Sequence, residues 1–158
     1  MEDDCLPHLD FFKFCKINLS RYKNEKLIGC ITGNNFQNKI NKKETYYFSK
    51  YPHCWGWATW ARAWNVYEKN ITFWPKYKKT SNWKNKFISK IEQKYWTRIF
   101  DKIFFRKIDS WAYPWTLCLW KNKMLTVTPS INLVIRDGGT PIFVDTEKKY
   151  RFEHFRSN

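Results

Sequence analysis

With 158 residues, 43% of them hydrophobic and 20% aromatic, the chain has one domain's length and enough apolar surface for a core, which argues against a disordered protein. Its 29 Lys and Arg against 14 Asp and Glu leave a formal net charge of +15, which attracts anions such as nucleotide diphosphates, nucleic acid or an acidic membrane surface. Cysteines 5, 15, 30, 54 and 118 are odd in number and lack CxxC spacing, which argues against a disulfide framework or zinc site and for a reducing compartment.

The first motif is Met1-Glu2-Asp3-Asp4-Cys5-Leu6-Pro7. Three adjacent carboxylates repel one another unless a cation sits among them, and Mg²⁺ or Mn²⁺ takes one or two carboxylates together with phosphate oxygens. The same acidic residues are also favourable near a helix N-terminus. Pro7 suits a first helical turn. Phe11, Phe12, Cys15, Leu19 and Tyr22 then recur at helical spacing, predicting an amphipathic helix over 7–23. Leu27 to Thr32 predicts a buried strand that ends in the turn Gly33-Asn34-Asn35. The Asn- and Lys-rich residues 34–45 predict a mobile surface loop, and Tyr46-Tyr47-Phe48 a short extended piece.

Four of the ten tryptophans fall between Tyr51 and Tyr67. Trp57, Trp60, Ala61 and Trp64 recur at three and four residues, which predicts one face of a helix entered through a tight turn at Gly56. Each such ring removes ~150–250 Å² from water when covered, so this helix needs a large partner surface. Trp60 and Trp64 suit a core, whereas His53, Trp55 and Trp57 suit a core or a ligand-binding wall equally well.

Ile71 to Pro75 leads into a Lys-rich linker through Lys86. Phe87, Ile88, Ile91, Tyr95, Ile99 and Ile103 predict a long helix with Lys and Arg on its outer face. That face reads as solvated, or as a contact for nucleic acid or anionic lipid. Pro114 fits near the first turn of a helix running to about Asn122. Its lead-in loop carries Asp109, where a carboxylate projects into a cleft or, with Ser110, caps the helix. Met124 to Thr128 alternates like a strand, residues 131–135 suggest a second one, and 137–158 form a loop-like tail. No apolar run is long enough to span a membrane.

The ordered set EDDCLP, FFKFC, ITGNNF, YYFSKYPHCWGWATWARAW and IDSWAYPWTLCLW resembles the later part of family-2 glycosyltransferases, more narrowly the nucleotide-diphospho-sugar transferases of the haemolysin-like subgroup. The resemblance covers roughly residues 2–135. It implies an α/β fold, the C-terminal part of a glycosyltransferase A-type domain over 1–136, with mostly helices packed on a few short strands. It implies a metal, Mn²⁺ or Mg²⁺, at Glu2, Asp3 and Asp4, with Asp4 the foremost ligand. Substrate would meet Gly33, Asn34, His53, Trp57 and Trp111. Asp109 would be the catalytic base that takes the acceptor hydroxyl's proton in an inverting transfer.

In such enzymes a nucleotide-binding half precedes the acidic motif, with which this sequence opens. The resemblance therefore implies a truncated portion, incompetent alone, whose partners include a separate N-terminal half, a nucleotide-diphosphate sugar and a glycan or lipid-linked acceptor. A second departure is Ala112, where relatives of this subgroup often carry another Asp. The expected setting is cytoplasmic polysaccharide biosynthesis, with peripheral contact at the anionic inner membrane face. The competing expectations are a non-catalytic glycan- or polyanion-binding module and an inactive fragment.

Overall fold

The computed structural model describes residues 5–37 and 44–136. The triplet Glu2-Asp3-Asp4 and the tail from 137 lie outside the described residues, as do positions 38–43 of the expected loop. Among the described residues the chain is mixed α/β, with six helices and two small sheets. It divides into two compact units, one formed by the chain up to Ala61 together with that from Met124 onward, the other by Arg62–Lys123.

The first unit holds the strands. They are β1 (Cys5–Pro7), β2 (Ile28–Thr32), β3 (Tyr46–Ser49), β4 (Trp57–Ala58), β5 (Leu125–Pro129) and β6 (Val134–Arg136), with helix α1 (Leu9–Arg21) between the first two. One sheet runs β3-β5-β2-β4, and β1 pairs with β6 separately. Strands β2 and β5 are parallel, while β3 and β4 flank them antiparallel. All five residues of β2 are buried, as a central strand covered on both faces requires, and this is why Leu27 to Thr32 reads as a continuous apolar run. The two strands expected from 124–128 and 131–135 are present as β5 and β6.

Helix α1 starts later than expected. Pro7 is not its first turn but part of β1, opposite Val134. The cap is His8, whose extended backbone lets Nδ1 accept from the Asp10 amide at 3.2 Å. The buried stripe is Phe11, Phe14, Cys15 and Asn18, a strict i, i+3, i+4, i+7 set. Phe12, expected in that stripe, is about half exposed. Asn18 takes a core position because its Nδ2 donates to the Phe14 carbonyl at 2.9 Å. This stripe meets Ile28, Ile31, Val127, Leu133 and Val134 to form the unit's core, where each large side chain contributes about 1.5–3 kcal/mol by leaving water.

The tryptophan-rich segment is not one long helix. Trp57 and Ala58 form β4, opposite Thr32 and Ile31. Helical backbone is confined to α2 (Ala61–Trp64). The sheet decides this: β2 has an open edge beside this segment, and pairing it satisfies backbone groups that a helix would leave exposed on β2. Trp60 lies between the two elements and packs on the core, its Nε1 donating to the Leu19 carbonyl at 3.0 Å. Gly56 does make the expected turn, with φ of 60°.

The second unit is helical. After α2 come α3 (Trp74–Tyr77), α4 (Ser81–Lys84), α5 (Lys90–Phe104) and α6 (Ala112–Lys121). The stretch expected as a linker through Lys86 therefore folds into two short helices, because Trp74, Tyr77 and Trp83 are buried at its centre. Thr80 and Ser89 cap α4 and α5 through their side-chain oxygens. The inner face of α5 is Phe100 and Ile103, with Phe87 buried just before the helix. Ile88, Ile91 and Tyr95 were expected on that inner face but are exposed. Helix α6 matches the predicted span, and its N-cap is Trp111 with no side-chain cap bond. Neither Asp109 nor Ser110 caps it.

Candidate functional site

Four of the expected substrate-binding residues lie in the strand unit, around the carboxyl ends of β2 and β5. Strand β2 ends at Thr32, whose Oγ1 donates to the His53 carbonyl at 2.9 Å and accepts from the Asn34 amide at 3.2 Å. The Gly33 amide donates to the Gly56 carbonyl at 2.7 Å, and the Gly33 carbonyl accepts from the Leu133 amide at 2.8 Å. Trp57 stands opposite Thr32 in the ladder. Three chain segments thus approach backbone to backbone, which glycine permits: a Cβ at Gly33 would lie 2.5 Å from Val134 Cγ2 and 2.8 Å from Phe11 Cδ2.

Both asparagines of the turn are buried, contrary to the surface loop expected from residue 34 onward. Asn35 is saturated. Its Nδ2 donates to the Ser130 carbonyl at 2.9 Å, while its Oδ1 accepts from the Gln37 amide at 2.9 Å and the Tyr47 hydroxyl at 3.2 Å. Its backbone amide donates to Asn132 Oδ1 at 2.5 Å. The side chain therefore ties the ends of β2, β3 and β5 together. Asn34 differs: its Nδ2 donates to the Val134 carbonyl at 3.3 Å, but its Oδ1 meets no hydrogen-bond donor among the described residues. An acceptor left so costs about 1–3 kcal/mol.

An aromatic rim surrounds this turn. The Phe36 ring, 44% exposed, meets His53 edge-on at 4.7 Å and Trp55 at 5.6 Å between centroids. Tyr51 stacks against His53 at 6.5 Å. Burial pushes the His53 imidazole down to about 4, so it is neutral at physiological pH and offers one donor and one acceptor. Partly exposed ring faces beside a neutral imidazole suit a polyhydroxylated ligand, which needs an apolar platform and directed hydrogen bonds together.

The depressed His53 value has a stability consequence. The unfolded chain protonates this histidine near 6.5 and the folded chain only near 4, so its share of stability is complete above about pH 6.5 and is lost as the pH falls towards 4. The expected loss is up to about 2–3 kcal/mol. Chemical denaturation of the wild type and His53→Gln at pH 7 and pH 4 measures it: the variant's stability should fall less over that interval.

Asp109 and Trp111 belong to the helical unit. The Asp109 side chain is 93% exposed and lies 3.8 Å from Lys69 Nζ. Trp111 is half-buried at the start of α6. Among the described residues no three His, Cys, Asp or Glu side chains gather where they could hold a metal ion, and Glu2, Asp3 and Asp4 precede the first described residue. Comparison of the chain with family models, curated proteins and solved structures finds no match. The residues that reading along the chain misses are Asn35, Phe36, Tyr47 and Asn132. The run ITGNNF flags the first two, but the partners that fix Asn35 are 95 to 97 positions away.

Proposed function

We propose that this chain is the acceptor-side portion of a glycosyltransferase A-type enzyme that moves a sugar from a nucleotide-diphosphate donor to a hydroxyl of a glycan or lipid-linked acceptor in surface polysaccharide synthesis. The observation that carries the reading is the polar and aromatic turn of Gly33, Asn34, His53 and Trp57 at the carboxyl ends of the parallel strands β2 and β5. Open α/β sheets bind ligands at that end of their strands. The resemblance of the ordered motifs adds the reaction class.

In this reading Phe36, Trp55 and Trp57 form the platform for the acceptor sugar, His53 directs its hydroxyls, and the Gly33-Asn34 turn shapes the pocket. The resemblance assigns the proton of the attacking hydroxyl to Asp109 of the helical unit, with Trp111 close by in the chain. Glu2, Asp3 and Asp4 would hold Mn²⁺ or Mg²⁺, which would neutralise the departing diphosphate.

Two measurements test this. With Mn²⁺, a panel of sugar nucleotides and a hydroxyl acceptor, any sugar transfer should be lost in Asp109→Asn, and a variant that transfers like the wild type would remove Asp109 as the base. A panel of oligosaccharides should include one that changes the tryptophan fluorescence on binding. Phe36→Ala, at an exposed ring, should weaken that binding up to about tenfold, as expected for one lost stacking contact. Absence of saccharide binding across the panel would sink the acceptor site.

A further inference from the structure

The helical unit carries a second surface, independent of the site above. Its residues Arg62–Lys123 include fifteen Lys and Arg against four Asp and Glu, a net charge of +11 out of the chain's +15. On α5 the positive charge is organised. Lys94 and Arg98, one turn apart, line a cleft of about 410 Å³ with Lys78 and Lys84 from the preceding helices. Gln93, which also lines it, ties α5 to α4, its Nε2 donating to the carbonyls of Trp83 and Lys84 at 3.0 Å each. Asp101 pairs with Lys78 at 2.8 Å, and Glu92 lies about 100° round the helix from Ile91.

Three large apolar side chains are exposed on this helix or just before it. Ile88 is fully exposed, Ile91 is 83% exposed and Tyr95 is 51% exposed. Ile91, Tyr95, Arg98 and Lys102 follow one another at four and three residues, so they share one strip of the helix. A fully exposed isoleucine next to another is costly in water unless the strip meets an apolar medium. A cationic cleft beside it selects an anionic one. Nucleic acid would satisfy the cations but leave the isoleucines in water.

We propose that this face of α5 docks on an anionic lipid bilayer, with headgroup phosphates in the cleft and Ile88, Ile91 and Tyr95 entering the interface. The helix lies along the surface in the manner of an amphipathic anchor. It does not cross: among the described residues no helix is long and apolar enough to do so.

The test is co-sedimentation of the full chain with vesicles of phosphatidylcholine alone or mixed with phosphatidylglycerol. Partitioning should favour the anionic vesicles at least tenfold and fall as salt is raised. Ile88→Ser with Ile91→Ser, and separately Lys94→Glu with Arg98→Glu, should each reduce partitioning on the order of tenfold. All four positions are exposed, so the thermal midpoint should stay at the wild-type value. Equal binding to both kinds of vesicle overturns the proposal. So does an isoleucine pair variant that binds anionic vesicles like the wild type, or duplex DNA that displaces the vesicles and binds this variant unchanged. Either result would leave a purely electrostatic polyanion surface.

Discussion

Replacing Trp120 with Ala should destabilise the chain by about 3–5 kcal/mol, a large share of the 5–15 kcal/mol typical of a whole domain. Trp120 is 1% exposed at the C-terminal end of α6. Its indole meets Trp96 at 4.9 Å, Phe87 at 5.4 Å, Phe100 at 6.0 Å and Trp83 at 6.4 Å between centroids. Lys86 Nζ lies 5.3 Å from the ring centre. One side chain thus fills the space between α4, α5 and α6, and no neighbour is free to collapse into the gap. Trp83 and Phe100 are themselves locked around Trp74, whose Nε1 donates to Asp101 at 2.7 Å. Urea unfolding followed by near-ultraviolet circular dichroism reads the loss directly. Phe12→Ala, at a half-exposed ring on α1, serves as the control and should cost far less. A loss at Trp120 below about 1 kcal/mol would mean that the indole does not fill the helical core.

The contrast between Trp120 and Trp57 shows what the sequence makes legible. Trp120 sits in TLCLW, an apolar run with no competing partner, and the helix expected there is the helix that forms. Trp57 obeys the same helical spacing with Trp60, Ala61 and Trp64, yet it becomes a strand residue. Periodicity reports which side chains can share a face. It does not report that a strand 25 positions earlier, Ile28–Thr32, needs an edge partner. The same limit hides the inner and outer faces of α5. Ile88, Ile91 and Tyr95 form as good an apolar stripe as Phe100 and Ile103, and only the placement of Trp74, Trp83 and Trp120 decides which stripe is covered. For the candidate site, Gly33, Asn34, His53 and Trp57 are visible in the chain because their types and turn position are unusual there. Asn35 is visible as a residue but its role is not, since its bonds to Ser130 and Asn132 join opposite ends of the sequence.

Gly56→Ala should cost about 2–5 kcal/mol, from two separable sources. The backbone at Gly56 has φ of 60°, and an alanine held there loses about 1–2 kcal/mol. Its new methyl would also run into Val134 Cγ2. Val134 cannot turn aside: it is 2% exposed, branched at Cβ, and fixed in β6 opposite Pro7. Overpacking of this kind costs about 1–3 kcal/mol. A double-mutant cycle separates the two. In a Val134→Ala background the collision is relieved, so Gly56→Ala should cost only its backbone share, with a coupling of about 1–3 kcal/mol. An equal cost in both backgrounds would place the whole effect in the turn. The outcome reaches the candidate site as well, because the Gly56 carbonyl holds the Gly33 amide and the Val134 carbonyl holds Asn34. A shift of Val134 away from the new methyl moves both anchors of the turn. Saccharide binding should therefore fall in Gly56→Ala even under conditions where the protein stays folded, and Val134→Ala should restore part of it.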